Sequence, residues 1–155
     1  VQEARDTVGT PFANVTHFDE DFTVPLGGIS SMAGLTGLLD DAVASHGRNQ
    51  IYVARIDLDD CDRILVRSAL PQHKPYRPLA EALATDQREF TYEHIGGSIV
   101  AVYFPPVFDG QNAVGWHCHF ISDDRKCGGH MLDISFSEQT RARFDITPYF
   151  LMYLP

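Results

Sequence analysis

Three histidines in the second half of the chain have the side chains and the spacing of a metal site. His117 and His119 form a His-x-His pair, and His130 follows eleven positions later. Residues 113–121 alternate in the way that is typical of a β-strand, so the two histidines of the pair share one face and Cys118 points to the other. The ring nitrogens of histidine are common ligands of zinc and related metals.

A hairpin would bring the third histidine to the first two. The polar residues 122–126 are turn-like, and residues 129–134 can return as a second strand. With the turn centred between residues 124 and 125, His130 lies opposite His119, where paired side chains are about 5 Å apart. The two glycines before His130 fit a bend or a close approach of the backbone. The sequence therefore predicts three imidazoles that converge on one point.

Three nitrogen ligands with open positions are typical of a catalytic zinc site, because a structural site is usually closed by four protein ligands. The simpler alternative is a half-exposed sheet face that carries histidines by chance. Three histidines on one hairpin are harder to explain in that way than one, so we interpret His117, His119 and His130 as metal ligands. The other histidines have no partner at a similar spacing and are assigned structural roles: His17, His46, His73 and His94.

Length and charge limit the remaining classes of function. The 155 residues predict a single domain over 1–155, with residues 1–9 as a poorly ordered lead-in. The chain is 44% hydrophobic but has no apolar run long enough to span a membrane. Its net charge of −9 argues against nucleic acid and anionic membranes as partners. We expect a small-molecule substrate, held by the metal and by nearby cationic side chains.

The three cysteines, Cys61, Cys118 and Cys127, do not suggest a disulfide framework. Cys118 and Cys127 flank the predicted turn, and whether they pair is open at this point. We expect a cytoplasmic protein. Because the chain starts at Val1 rather than Met, a secreted protein that has lost a signal peptide is the alternative.

Two segments predict helices. Apolar residues from Met32 to Val43 form one stripe, with a serine before it as N-cap and Gly47 where a helix would end. A shorter helix is expected over Leu79–Ala84, with Pro78 near its first turn. Between the second strand group and this helix, the prolines of residues 71–78 predict a stiff loop.

Strand-like runs cover most of the rest. We expect strands over residues 10–18, 51–57, 63–69, 90–95 and 98–104, in the histidine hairpin, and once or twice within residues 144–154. Turns are expected at residues 59–62 and at Gly96-Gly97. Eight or nine strands and two helices without regular βαβ alternation predict an α+β fold with a mixed, largely antiparallel sheet.

Five motifs occur in order along the chain. They are Thr10-Pro11-Phe12-Ala13; Val66-Arg67-Ser68 with Gln72 and Pro75-Tyr76; Gly115-x-His117-x-His119-Phe120-Ile121-x-Asp123-Asp124; Gly128-Gly129-His130-x-Leu132-Asp133; and Leu154-Pro155. In these motifs the sequence resembles the α-acetolactate decarboxylase family. The resemblance runs from Thr10 to Pro155, and the histidine block is its most specific part.

The resemblance implies a zinc-dependent lyase that converts 2-acetolactate to acetoin and carbon dioxide. His117, His119 and His130 would hold the zinc ion, and Arg67 would contact the substrate and help stabilise an enediolate after the carboxylate has left. Gln72 and Tyr76 are candidates for the same pocket, with packing of Tyr76 beside its proline neighbour as the alternative. Because members of the family commonly pair, we also expect a homodimer.

The chain departs from the family's pattern at both ends. It lacks an N-terminal portion with Gly-Thr-Phe-Asn and Asp-Gly-Glu segments and a C-terminal tail, and with them two glutamates that the resemblance would place in the site. We therefore expect either a trimmed form of the longer enzyme or a compact relative that uses the same zinc site for another reaction, such as cyclisation or isomerisation of a larger substrate. A metal-binding module without turnover is the third interpretation. Cupins share the His-x-His pair, but their further ligands usually follow at other spacings.

Overall fold

The computed structural model describes residue 1 and residues 13–152. Five strands make up most of this part: β1 (Phe22–Ile29), β2 (Ile51–Ala69), β3 (Gln87–Phe104), β4 (Gly115–Ser122) and β5 (Gly128–Thr147). The helices are α1 (Met32–His46), α2 (Leu79–Thr85) and a short 3-10 helix over Pro106–Phe108. The predicted α+β class and both predicted α-helices are confirmed.

Helix α1 begins and ends as its sequence predicts. Ser31 is the N-cap, and its Oγ accepts a hydrogen bond from the Gly34 N–H at 3.2 Å. At the other end, the backbone N–H of Gly47 donates to the Val43 carbonyl at 2.8 Å. One face of the helix is buried, through Leu35, Leu39, Ala42 and Val43. The helix therefore lies on the hydrophobic core, against β1 and β5.

The prediction of eight or nine strands is wrong, because β2 and β3 continue through two places where turns were expected. In β2, residues 59 and 60 form a bulge, because the pairing with β3 shifts between Leu58 and Cys61. The Glu138 carboxylate accepts hydrogen bonds from the N–H groups of Asp59 (3.1 Å) and Asp60 (3.2 Å). An acidic run that is typical of a turn is thus accommodated inside a 19-residue strand.

Gly96 and Gly97 lie within β3 rather than in a turn. A Cβ on Gly96 would be 2.8 Å from the Asp59 carbonyl oxygen, and one on Gly97 would be 2.6 Å from the Phe120 ring. These glycines therefore allow neighbouring strands and side chains to approach closely. Pairs of glycines are typical of both turns and close approaches, so the local sequence did not distinguish the two.

The ends of the described region also differ from the prediction. Residues 13–18 form no strand, and residues 10–12 of the predicted first strand lie outside the described part, as do residues 2–9 of the lead-in. Near this segment, side chains bind backbone groups: the Asp19 N–H donates to the Asp145 carboxylate, and the Ile146 N–H donates to Asp21. At the other end β5 stops at Thr147, before Pro148, so residues 148–152 form no closing strand and 153–155 lie outside the described part.

The strands form one sheet in the order β1-β5-β2-β3-β4, and every pairing is antiparallel. The start of β5 also pairs with β4, so β5, β2, β3 and β4 form a closed ring of paired strands. The inner side of this closed arrangement and the face under α1 carry the core, whose largest fully buried side chains include Tyr52, Phe136 and Phe144. Among the described residues, no helix combines the length and the apolar character needed to cross a bilayer.

Candidate metal centre

The alternation of β4 places two histidines on the outer face of the sheet. Cys118 between them is fully buried, and burial raises the pKa of its thiol to about 12. The neighbouring Trp116 donates a hydrogen bond from its Nε1 to Asp40 of α1 at 2.9 Å. Strand β4 is therefore fixed on its inner side, and His117 and His119 project from the other side. Cys118 and Cys127 are free cysteines.

The hairpin between β4 and β5 has the predicted register, and His119 pairs with His130. A polar network holds its turn. Ser122 is buried and donates from Oγ to the Asp124 carboxylate at 2.7 Å, while the same Oγ accepts from the Cys127 N–H at 2.9 Å. Asp124 also accepts from the Lys126 N–H at 3.0 Å, and this hydrogen bond and that from Ser122 hold its pKa below the usual range. Asp124 thus stabilises the turn, as its position in the sequence indicates.

Replacing Ser122 with alanine is expected to loosen this turn. The change leaves the Cys127 N–H without its acceptor and should lower the free energy of unfolding by about 1–3 kcal/mol. Urea denaturation checks this through the midpoint of unfolding. Ser137→Ala is the matched control, because Ser137 is exposed on β5 and lies outside the turn. Equal midpoints for the two variants would contradict the role given to Ser122.

A second bulge aligns β5 with β2. Leu65 pairs with Asp133, but Val66 pairs with Met131, so Leu132 is an extra residue on β5. A regular ladder would have placed Met131 opposite Arg67; the bulge places His130 there instead. Gly129 fits this close packing, because a Cβ at that position would lie 2.6 Å from the Arg67 carbonyl oxygen.

The three histidines converge on one point. The nitrogens they offer to a metal all lie within 4.8 Å of one another, and the Nε2 atoms of His117 and His119 are 3.0 Å apart. The ring centroids are separated by 4.7 to 5.4 Å. In a tetrahedral site with zinc–nitrogen distances of about 2 Å, neighbouring nitrogens lie about 3.3 Å apart. The 3.0 Å separation on β4 is close to that value, and the three nitrogens together form a donor set that could hold a metal ion.

The surroundings keep these imidazoles neutral. Burial lowers the pKa of all three, and that of His130 falls to about 4. His117 and Arg67 add to the burial effect at His130, and Arg67 also lowers the pKa of His117. Metal binding requires the deprotonated ring nitrogen, so the local electrostatics favour the form that binds a metal near neutral pH.

Arg67 lies beside the histidines, on the strand next to His130. It is half-buried, and its guanidinium donates a hydrogen bond to the Gln87 side chain at 3.4 Å. None of the ion pairs formed within the described ranges involves Arg67. Glu89 is its cross-strand partner on β3 but forms no ion pair with it. The guanidinium can therefore still bind a carboxylate of a substrate.

The other two predicted pocket residues lie in the proline-rich loop. The amide of Gln72 donates to Asp86 at 3.0 Å and accepts from Arg77 at 3.2 Å. The Tyr76 side chain is 67% exposed. Neither residue lines the cavity next to the histidines. Their assignment to a substrate pocket stays a prediction.

That cavity has a volume of about 300 Å³. Its lining residues come from β4, from β3 and from the segment before β1: His117, His119, Val100, Val102, Ala13 and Asn14. The sequence analysis missed the two valines and Asn14. Strand alternation places the valines on one face of β3, but their position beside the histidines depends on the pairing of β3 with β4, which is not encoded in either strand alone.

Comparisons with known proteins identify the family of this chain. Residues 1–155 match the family described as alpha-acetolactate decarboxylase. The alpha-acetolactate decarboxylase of Methanosarcina mazei is 37% identical over 148 residues, which cover 96% of this chain and 50% of that protein. The protein of the same name from Methylococcus capsulatus is 37% identical over 150 residues, covering 96% of this chain and 55% of its own length.

The fold is also similar to that of a solved structure. The crystal structure of alpha-acetolactate decarboxylase from Bacillus subtilis strain 168 superposes with a TM-score of 0.76 at 27% identity, over 85% of this chain and 54% of that one. This chain spans about half the length of the relatives that it matches. The match over residues 1–155 and the similarity to these relatives show that the chain belongs to the α-acetolactate decarboxylase family.

Proposed function

We propose that this protein is a zinc-dependent decarboxylase that acts on a 2-hydroxy-3-oxo acid, converting 2-acetolactate to acetoin and carbon dioxide. The observation that carries the proposal is the convergence of three imidazoles beside Arg67, in a chain of this family. The relatives from Methanosarcina mazei and Methylococcus capsulatus are named alpha-acetolactate decarboxylases, which supports the reaction. The single domain, the homodimer and the cytoplasmic location stay predictions.

His117, His119 and His130 would hold the zinc ion through their ring nitrogens. The fit rests on the donor set itself, which offers three ring nitrogens within 4.8 Å of one another. Bound zinc would supply a Lewis acid that withdraws electron density from the substrate's carbonyl group. The hairpin contributes by holding the three rings in place before substrate arrives, so little reorganisation is needed.

Arg67 would bind and orient the substrate carboxylate. A guanidinium can donate two parallel hydrogen bonds to a carboxylate, which fixes the direction of the carbon–carbon bond that breaks. When carbon dioxide leaves, the electron pair of this bond moves toward the neighbouring carbonyl group, and the cationic side chain stabilises the negative charge that develops there. A proton delivered to the carbon that carried the carboxylate completes the hydroxyketone.

A different reaction on a larger and more apolar substrate, such as a cyclisation or an isomerisation, is the second candidate. It is favoured by Val100, which is 41% exposed in the cavity wall next to His119. Metal binding without turnover is the third.

The deciding assay measures acetoin from 2-acetolactate with the zinc-loaded protein. Turnover above the spontaneous rate is expected, with loss of activity after chelation and recovery when zinc is restored. No acetoin above background from protein that holds one zinc per chain would reject decarboxylation. Formation of another product from a larger 2-hydroxy-3-oxo acid would then favour the second candidate, and no product at all would favour the third.

A further inference from the structure

A row of paired residues crosses the outer face of the sheet through the metal centre. Val100 of β3 pairs with His119 of β4, His119 pairs with His130 of β5, and His130 pairs with Arg67 of β2. Residues that are directly opposite on neighbouring antiparallel strands share a face and lie about 5 Å apart. These four residues therefore place an apolar side chain on one side of two imidazoles and a cationic side chain on the other. The ladder continues beyond them, to Arg55 beside Val100 and to Glu89 beside Arg67.

A second valine widens the apolar surface beside the histidines. Val102 pairs with His117 on one side and with Val53 on the other. Val53 is only 6% exposed, so Val102 rests against a packed neighbour, whereas Val100 is 41% exposed beside the cavity. Both valines line this cavity together with His117 and His119. Each of the two histidines on β4 thus has an apolar, β-branched side chain next to it.

Such side chains make a stiff wall. Valine has one strongly restricted side-chain torsion, so it does not move aside as an unbranched side chain can. When a ligand covers exposed apolar surface with its own apolar groups, water is released and the free energy of the complex is lowered. A ligand with an alkyl group against the valines and a carboxylate directed toward Arg67 would match both kinds of side chain.

We propose that Val100 and Val102 determine specificity, by contacting the alkyl substituents of the substrate while Arg67 receives its carboxylate. This inference rests on the proposed function, since it concerns the substrate of the same site. It adds that the limit on substrate size is set by β3, a strand that carries none of the three histidines. Changing the volume at position 102 should therefore change the ranking of substrates and leave metal binding unchanged.

The test compares 2-acetolactate with its homologue in which an ethyl group replaces the methyl group at carbon 2. In Val102→Phe the larger ring should fill part of the cavity, and kcat/KM for the ethyl substrate relative to the methyl substrate should fall at least about tenfold, as is usual for one methylene in an apolar pocket. In Val102→Ala the same ratio should rise. Zinc content should stay at the wild-type value in both variants.

Val107→Phe is the matched control, because Val107 is 73% exposed on the 3-10 helix and does not line the cavity. It should leave the substrate ratio unchanged. A ratio that is the same in wild type, Val102→Phe and Val102→Ala would overturn the proposal even if all three decarboxylate 2-acetolactate. Val102→Ala keeps the proposal testable if the phenylalanine variant fails to fold.

A binding experiment separates this inference from the proposed function. Calorimetry with acetoin and its ethyl homologue, on zinc-loaded wild type and variants, measures the size limit without turnover. One outcome would reject decarboxylation and support the role of the valines. In it, neither the wild type nor any variant turns over 2-acetolactate, but Val102→Phe selectively fails to bind the larger hydroxyketone. If wild type neither turns over the acids nor binds the hydroxyketones, both are overturned.

Discussion

Replacing His119 with asparagine is expected to abolish zinc binding and to reduce acetoin formation to the spontaneous rate. His119 lies between its two partners, with its Nε2 3.0 Å from that of His117 and its backbone paired with His130. Even loss of a group that only orients a ligand weakens metal binding by about 10- to 100-fold, so loss of a direct ligand should cost more than about 100-fold. Zinc content and affinity, measured with a competing chelator, check the first part of the prediction.

His94→Asn is the matched control for this change. His94 is exposed on β3 and has a φ of 49°, a left-handed conformation that asparagine adopts readily. The control should keep the zinc content and kcat of the wild type. One tightly bound zinc per chain in His119→Asn would contradict the metal centre, because two imidazoles would then suffice without the third.

Replacing Arg67 with glutamine is expected to lower kcat/KM for 2-acetolactate by about 100- to 1000-fold, the usual effect of removing one group that stabilises developing charge. Zinc content should not fall. The Arg67 cation lowers the pKa of His117 and His130, so its removal should raise both pKa values. At pH values above those pKa values, both imidazoles stay largely neutral and can still bind zinc. The measurement is steady-state kinetics on protein whose zinc content has been determined.

Arg67→Lys and Arg88→Gln complete the series. Lysine keeps the charge but not the planar pair of donors, so Arg67→Lys should recover only part of the lost activity. Arg88 is exposed on the adjacent strand β3, and Arg88→Gln should behave as wild type. If Arg67→Gln and Arg88→Gln have the same kcat/KM, Arg67 does not contact the substrate.

The parts of the structure that the sequence predicts are those that depend on neighbours in the chain. Helix α1 was predicted with its caps because its stripe and its capping serine lie within one short segment. The His119–His130 pair was predicted because a short turn fixes the register of a hairpin. Both predictions need only local geometry: the period of a helix or strand and the length of one loop.

The parts that were not predicted depend on partners far away in the sequence. The bulge in β2 is held by Glu138, so the acidic run at residues 59–62 could not be distinguished from a turn without that partner. The same limit applies to Val100 and Val102, whose position beside the histidines depends on the register between β3 and β4. Arg67 was assigned through its motif, and the bulge at Leu132 that brings it opposite His130 was not foreseen.

The bulge at Leu132 also has a consequence for motion. It interrupts the ladder between β5 and β2, so residues 128–131 are bounded by the turn on one side and by the interruption on the other. Short stretches bounded in this way can open separately from the rest of a sheet, with a smaller free energy than global unfolding. A ligand that connects His130 to the two histidines of β4 would oppose such opening. Binding at the site should therefore slow the exchange of backbone amide hydrogens at the start of β5.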